Sequence, residues 1–331
     1  VTKIRYSGND SHITDNSGGG GGGGLGGLGS ILSGGGGGGG LGIPIKAGGG
    51  LLGILVLVAS IILPKLLGGT TSTASSGNNG GGATTQIESP GLNPTSSDSG
   101  EGSANPATQS SAGGTTSSSK CGSTDLRQII CGAYEDATTY WQGAFQAAGK
   151  KFAQPDMVFF TSDTNTGCGA AQSSAGPFYC PADQTIYLDL DFLKTLETQL
   201  NFHGDLAEQY VIAHEYGHHI QKSLGTSDAV EQADRQHPDQ ANAISVKFEL
   251  QADCFAGMWA KSANDRNLLE NGDLAEALGA ASAVGDDTIQ KEMTGHVDPD
   301  TFTHGSSAQR QTWFNRGYKS GDTNQCNTFA E

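Results

Sequence analysis

The chain has 331 residues, with 18 Lys and Arg against 34 Asp and Glu, and its formal charge of −16 arises entirely from Cys121 onward, where 13 basic residues face 29 acidic ones. A surface that acidic repels phosphate backbones, and no basic patch interleaved with aromatics relieves it, so nucleic-acid binding is excluded. The 52 glycines follow no three-residue period, which excludes a collagen-like chain.

Composition divides the chain unevenly. The first 120 residues hold 34 of the 52 glycines, most of the Ser/Thr tracts and almost no aromatics. Residues 1–46, with the runs Gly18 to Gly24 and Gly34 to Gly40, have high backbone entropy and little to bury, and are expected to be disordered. Between Lys46 and Lys65 lie 18 residues without a charge, centred on the apolar run Leu51 to Leu63. As a helix they would span about 27 Å, close to the hydrocarbon thickness of a bilayer, so residues 47–67 are expected to form one transmembrane helix. Lys3, Arg5 and Lys46 precede the apolar run and only Lys65 follows it closely. The bias predicts a single-pass plasma-membrane protein with its N-terminus inside and its C-terminal domain extracytoplasmic. Residues 68–120, rich in Gly, Ser, Thr and Asn, read as a flexible tether of roughly 40 Å reach.

Residues 121–331 have the composition of a globular domain and carry all six cysteines. An even count in a segment expected outside the cell reads as up to three disulfides. Cys168 and Cys180 bracket a short Gly/Ser loop and make the best pair; Cys121 with Cys131 and Cys254 with Cys326 remain. In chain order, a helix is predicted from Asp125 to Ala148, stopping at Gly149, with Leu126, Ile129, Ile130, Ala133, Ala137, Tyr140, Trp141 and Phe145 roughly on one face. Strands are expected over Met157 to Thr161 and Thr185 to Phe192, the second alternating Ile186, Leu188 and Leu190 against Tyr187, Asp189 and Asp191. Asp205-Leu206-Ala207-Glu208 has the form of a capping box, opening a helix to Leu224 that ends at Gly225. Further helices fit Asn242 to Ser262, a segment opened by Asp273-Leu274-Ala275-Glu276, and one opened by Ser306-Ser307-Ala308-Gln309 that ends near Gly321. The fold class is a helix-rich α+β domain with a small sheet.

Within the helix starting at Asp205 sits His214-Glu215-Tyr216-Gly217-His218. Residues four apart share a helix face, so both imidazoles can converge on one cation, while Glu215 reaches water held there. A catalytic zinc site needs a third protein ligand and an open position. The extension that would place a histidine at position 224 is closed by Gln221 and Leu224. Glu249-Leu250-Gln251-Ala252-Asp253 places two acids on one face of another helix, among Ile244, Val246, Phe248, Phe255 and Trp259. Glu249, ahead of Asp253 or another acid, is the expected third ligand, and Asp253 is expected to accept a hydrogen bond from the distal N–H of a ligand histidine. His219, a hundred degrees round the helix, should point away in a structural role. His304, or Arg310 one turn further, could stabilise an oxyanion.

The blocks Cys168-Gly169, Gly176-Pro177-Phe178-Tyr179-Cys180-Pro181, His214 to His219, Glu249 to Cys254, and His304-Gly305-Ser306-Ser307 leading to Trp313-Phe314 resemble the predicted neutral zinc metallopeptidases, mostly bacterial single-span membrane proteins. The resemblance covers about Cys121 to Glu331. It implies a zincin-like domain with His214, His218 and Glu249 as ligands to one Zn2+ per chain, Glu215 as catalyst, and a peptide or protein as substrate. The expected chemistry is peptide hydrolysis with Glu215 as general base, and the strand Thr185 to Phe192 is expected to offer an edge to an extended peptide. Two other readings fit the same motif: a zinc amidase or deacylase acting on cell-envelope components, and a non-catalytic binding module stabilised by zinc.

Overall fold

The computed structural model describes residues 2–17, 120–122, 124–161, 163–171, 176–199 and 204–331. The predicted membrane helix at 47–67 and nearly all of the tether at 68–120 lie outside the described residues, and among the described residues no helix is long and apolar enough to cross a membrane.

A long first helix, α1 (Asp125–Ala147), buries Ile130, Ala133, Tyr134, Ala137, Trp141 and Phe145 on one face. The sheet follows: β2 (Asp156–Phe160), the hairpin β3 (Thr164–Thr166) and β4 (Gly169–Ala171), then β5 (Phe178–Cys180) and β6 (Thr185–Asp189). A short strand β1 (Ile13–Asp15) completes a four-stranded sheet of order β1-β2-β6-β5, with β1, β2 and β6 parallel and β5 antiparallel. Helices α2 (Leu190–Gln199), α3 (Asp205–Leu224), α4 (Thr226–Gln236), α5 (Ala241–Asp265), α6 (Asp273–Ala283), α7 (Asp286–Thr294) and α8 (Ser307–Ser320) follow. The core lies between α1, α3, α5, α6 and α8 and one face of the sheet.

Several expectations are corrected. Residues 2–17 are not disordered. Ile4 and Ile13 are buried, the Met157 N–H donates to the His12 carbonyl (2.9 Å), and the Asn16 N–H donates to the Phe159 carbonyl (2.8 Å). Each buried isoleucine contributes about 1.5–3 kcal/mol. Composition misled because a short strand needs no core of its own when it completes the edge of a sheet assembled more than a hundred residues later.

The strand from Thr185 stops at Asp189, because the Asp189 carboxylate accepts the backbone N–H groups of Asp191 (3.0 Å) and Phe192 (3.2 Å) and so opens α2. All five residues of β6 are buried. Ile186 and Leu188 enter the main core, while Tyr187 packs with Phe160 and Phe178 under the β3–β4 hairpin, which the Cys168–Cys180 disulfide ties to β5. Strand β6 is also internal, hydrogen-bonded to β2 and β5, so it offers no edge to a peptide. The capping box at Asp205 does not form: Gly204 precedes α3, and Glu276 of α6 accepts the Leu206 N–H (3.2 Å). The box at Ser306 and Gln309 does form and opens α8. Helices α2, α4 and α7 were not anticipated.

All six cysteines pair, as Cys121–Cys131, Cys168–Cys180 and Cys254–Cys326. The last joins the C-terminus to α5. At the same crossing α5 and α8 touch backbone to backbone: a Cβ on Gly257 would overlap the Phe314 carbonyl oxygen, and one on Gly317 the Cys254 carbonyl oxygen.

Candidate metal centre

Helix α3 runs the full predicted length, Asp205–Leu224, and ends on a left-handed Gly225. It is sunk into the core on most sides, which suits Val211, Ile212, Ala213, Tyr216 and Ile220 and leaves His214 and His218 one turn apart on the face toward α5. Gly217 lets the two helices close at that point, since a Cβ there would lie 2.9 Å from the Ala252 carbonyl oxygen. Glu249 therefore reaches both imidazoles. Its Oε2 is 3.1 Å from His214 Nε2 and its Oε1 is 3.5 Å from His218 Nε2. One donor atom from each of the three side chains falls within 4.8 Å of the others.

Each histidine is oriented through its other nitrogen. His214 Nδ1 lies 2.9 Å from Asp253 Oδ1, as expected from the one-turn spacing of Glu249 and Asp253. Asp253 is wholly buried and is held in turn by Arg310, through Nε to Oδ2 (2.8 Å) and Nη2 to Oδ1 (3.0 Å), and by the Tyr210 hydroxyl. Arg310 also donates to the Val284 carbonyl (3.1 Å) and is itself 3% exposed. It is thus committed to Asp253 and is not an oxyanion donor, which corrects that expectation. His218 has a neutral anchor. Gln221 Nε2 donates to the Phe248 carbonyl (2.7 Å) and to Gln251 Oε1 (3.1 Å), which turns Gln221 Oε1 toward His218 Nδ1 at 2.8 Å. The His218 ring stacks on Phe248 with centroids 5.0 Å apart. Both Nε2 atoms are left to face Glu249.

The charges follow from burial and partners. Burial alone would strip the proton from His214, but Asp253 and then Glu249 reverse this and lift its pKa to about 10. Burial would raise Glu249, yet His218, His214 and His304 hold it well below the usual carboxylate range. Glu215 moves the other way: burial raises it, only partly offset by His218 and His214. A buried carboxylate of raised basicity beside the two histidines suits a proton acceptor.

His304 is placed by Asp286, whose Oδ2 accepts three consecutive backbone N–H groups, from Thr303 (2.7 Å), His304 (2.7 Å) and Gly305 (2.9 Å). Asp286 Oδ1 lies 3.1 Å from His304 Nδ1, so Nε2 is the ring atom left to meet a ligand. His219 is fully buried, with Nε2 donating to the Ala153 carbonyl (2.7 Å) and Nδ1 facing the Tyr179 hydroxyl (3.1 Å). Burial lowers its pKa to about 4, consistent with a neutral structural residue.

Sequence reasoning missed Gln221, Tyr210 and Asp286. Tyr210 and Gln221 sit four residues before His214 and three after His218, so helical spacing alone could have found them. No local signal announces Asp286. The donor set of two imidazole nitrogens and a carboxylate, with both imidazoles fixed by acceptors at Nδ1, fits zinc.

The family model described as "Putative neutral zinc metallopeptidase" matches residues 4–329. The chain is 51% identical over 205 residues to "Uncharacterized protein YpfJ" of Escherichia coli K12, covering 61% of this chain and 70% of that protein. It is 43% identical over 228 residues to "Uncharacterized protein Mb2605" of Mycobacterium bovis and to "Uncharacterized protein Rv2575" of Mycobacterium tuberculosis H37Rv, covering 62% of this chain and 76% of each relative. No solved structure matches. The chain therefore belongs to the neutral zinc metallopeptidase family.

Proposed function

We propose that the chain is a peptidase of the His-Glu-x-x-His type that binds one zinc ion through His214, His218 and Glu249 and hydrolyses peptide bonds. The observation that carries this reading is the meeting of Glu249 with both Nε2 atoms, while each Nδ1 is tied to an acceptor. Zinc at such a site supplies Lewis-acid chemistry, acidifying water and polarising a carbonyl. Glu215 takes the proton from water and returns it to the leaving amine; its burial keeps it basic enough to do so. His304, aimed by Asp286, donates through Nε2 to the developing oxyanion. The ligand group among the described residues has three members, which leaves a coordination position for substrate and favours catalysis over a purely structural zinc.

An extended substrate pairs with β5 rather than β6. Among the described residues β5 ends the sheet order on the side next to α3, to which it is joined through Tyr179 and His219, so its outer side rather than either side of β6 is the one a peptide would meet. The three disulfides support an oxidising, extracytoplasmic compartment for the domain, and the apolar run in residues 47–67 supports attachment to the plasma membrane.

The test is Glu215→Gln, assayed on a quenched-fluorescence peptide library alongside metal analysis. The variant is expected to keep about one zinc per chain and to lose kcat by about 10²–10⁴-fold; undiminished turnover would end the mechanism. His304→Ala is expected to cost about 10²-fold in kcat with KM and zinc content nearly unchanged. A library left intact while N-acyl or amidated envelope fragments are hydrolysed would favour the amidase reading.

A further inference from the structure

Strand β1 and the rest of the domain are separated in sequence by residues 18–119, which include the apolar run, yet both ends of that insertion leave from one place. Arg127 marks it. Its guanidinium donates to the Asp15 carboxylate (2.7 Å), to the Ser17 hydroxyl and to the Lys120 carbonyl (3.0 Å), and it lies over the Phe159 ring. The Lys120 N–H donates to the Asp10 carboxylate (2.9 Å), and the Thr161 hydroxyl donates to the Ser17 carbonyl (3.1 Å). The preceding residues are equally committed: the Ser7 and Asn9 N–H groups donate to Glu135 (2.6 and 2.8 Å), the Lys3 N–H donates to the Leu268 carbonyl (2.8 Å), and Thr2 is buried against Gln209.

We infer that residues 2–17 and 120–331 lie on the same side of any membrane the chain meets, so the insertion between them does not make a single crossing. One crossing at residues 47–67 would hold β1 and β2 on opposite faces of a hydrocarbon layer about 30 Å thick. Paired strands must lie about 4.8 Å apart. A sheet cannot satisfy both. Undocking β1 would expose Ile4, Ile13 and the edge of β2, and would leave Arg127, only 13% exposed, without its Asp15 partner. The number of crossings is therefore even. The inference replaces the single-pass arrangement expected from the sequence and does not rest on the catalytic reading.

His12 and Asp156 provide the test, since both are exposed and their side chains meet at 2.7 Å across the β1–β2 pair. His12→Cys and Asp156→Cys are made separately in the full chain, whose native cysteines are all paired, and right-side-out membrane vesicles are treated with an impermeant maleimide before and after detergent. The expected result is no loss of labelling at one position relative to the other before detergent. Labelling at position 156 with loss of labelling at position 12 until detergent is added would overturn the inference, as would the converse. The double variant should form an intrachain link with a short dithiol-reactive reagent in sealed vesicles; complete loss of that link in a chain whose single variants fold would also overturn it. Should the double variant fail to fold, the single-variant labelling still decides.

Discussion

His214 and His218 sit one turn apart on α3 and offer the same atom to the same point, yet they are held by opposite means. His214 leans on a buried carboxylate that is itself clamped by Arg310 and Tyr210, an ionic chain from three helices. His218 leans on a neutral amide locked by two acceptors and on the face of Phe248. The ionic anchor makes its imidazole a strong proton holder as well as a strong ligand. A neutral anchor fixes direction without adding charge.

Breaking the ionic side should cost most. Asp253→Ala leaves the Arg310 charge buried without its partner and is expected to destabilise the fold by about 3–5 kcal/mol in denaturant unfolding. Zinc affinity should fall by about 10–100-fold, read by competition with a chelating dye. A variant that unfolds like the parent would show that Arg310 finds another partner. On the neutral side, Gln221→Leu removes the donor that Gln221 gives to the Phe248 carbonyl and to Gln251 Oε1, and the acceptor it gives to His218 Nδ1. The expected cost is about 1–3 kcal/mol, with a loss of zinc affinity of about tenfold. An effect equal to that of Asp253→Ala would erase the distinction between the anchors.

The smallest effect sharpens it. With no cation bound, His214 has its pKa raised from 6.5 to about 10, so the stability it contributes is fully present below 6.5 and is lost as pH rises through about 10. Zinc must displace that proton. Binding at pH 7 should release about one proton from His214, and affinity should rise with pH. Calorimetry in buffers of different ionisation enthalpy measures the release; in Asp253→Ala it should shrink, and an unchanged value would place the proton elsewhere.

Much of this centre was legible because it is built from helix periodicity. The spacing of His214 and His218, the spacing of Glu249 and Asp253, the stop at Gly225 and the box at Ser306 are relations within one turn, and each appears as read. The pairing of cysteines was partly legible, since Cys168 and Cys180 flank a short loop. Where several partners compete for one group, local reading failed. Arg310, read as an alternative to His304 for an oxyanion, is consumed by Asp253, and Glu276 from another helix, not a capping box with Glu208, meets the start of α3. Strand β6 read as an alternating edge because its pattern cannot show that a hairpin covers its second face.

The sequence by itself determined which side chains could share a cation, because a helix converts a four-residue interval into a common face whatever surrounds it. Only the tertiary structure decided that α3 and α5 close at Gly217 to bring Glu249 between the histidines, that Arg310 and Gln221 give those histidines unlike supports, and that Ile13–Asp15 is a strand of the same sheet. Those facts depend on contacts between segments far apart in the chain, where burial and backbone hydrogen bonding override what composition and local pattern suggest.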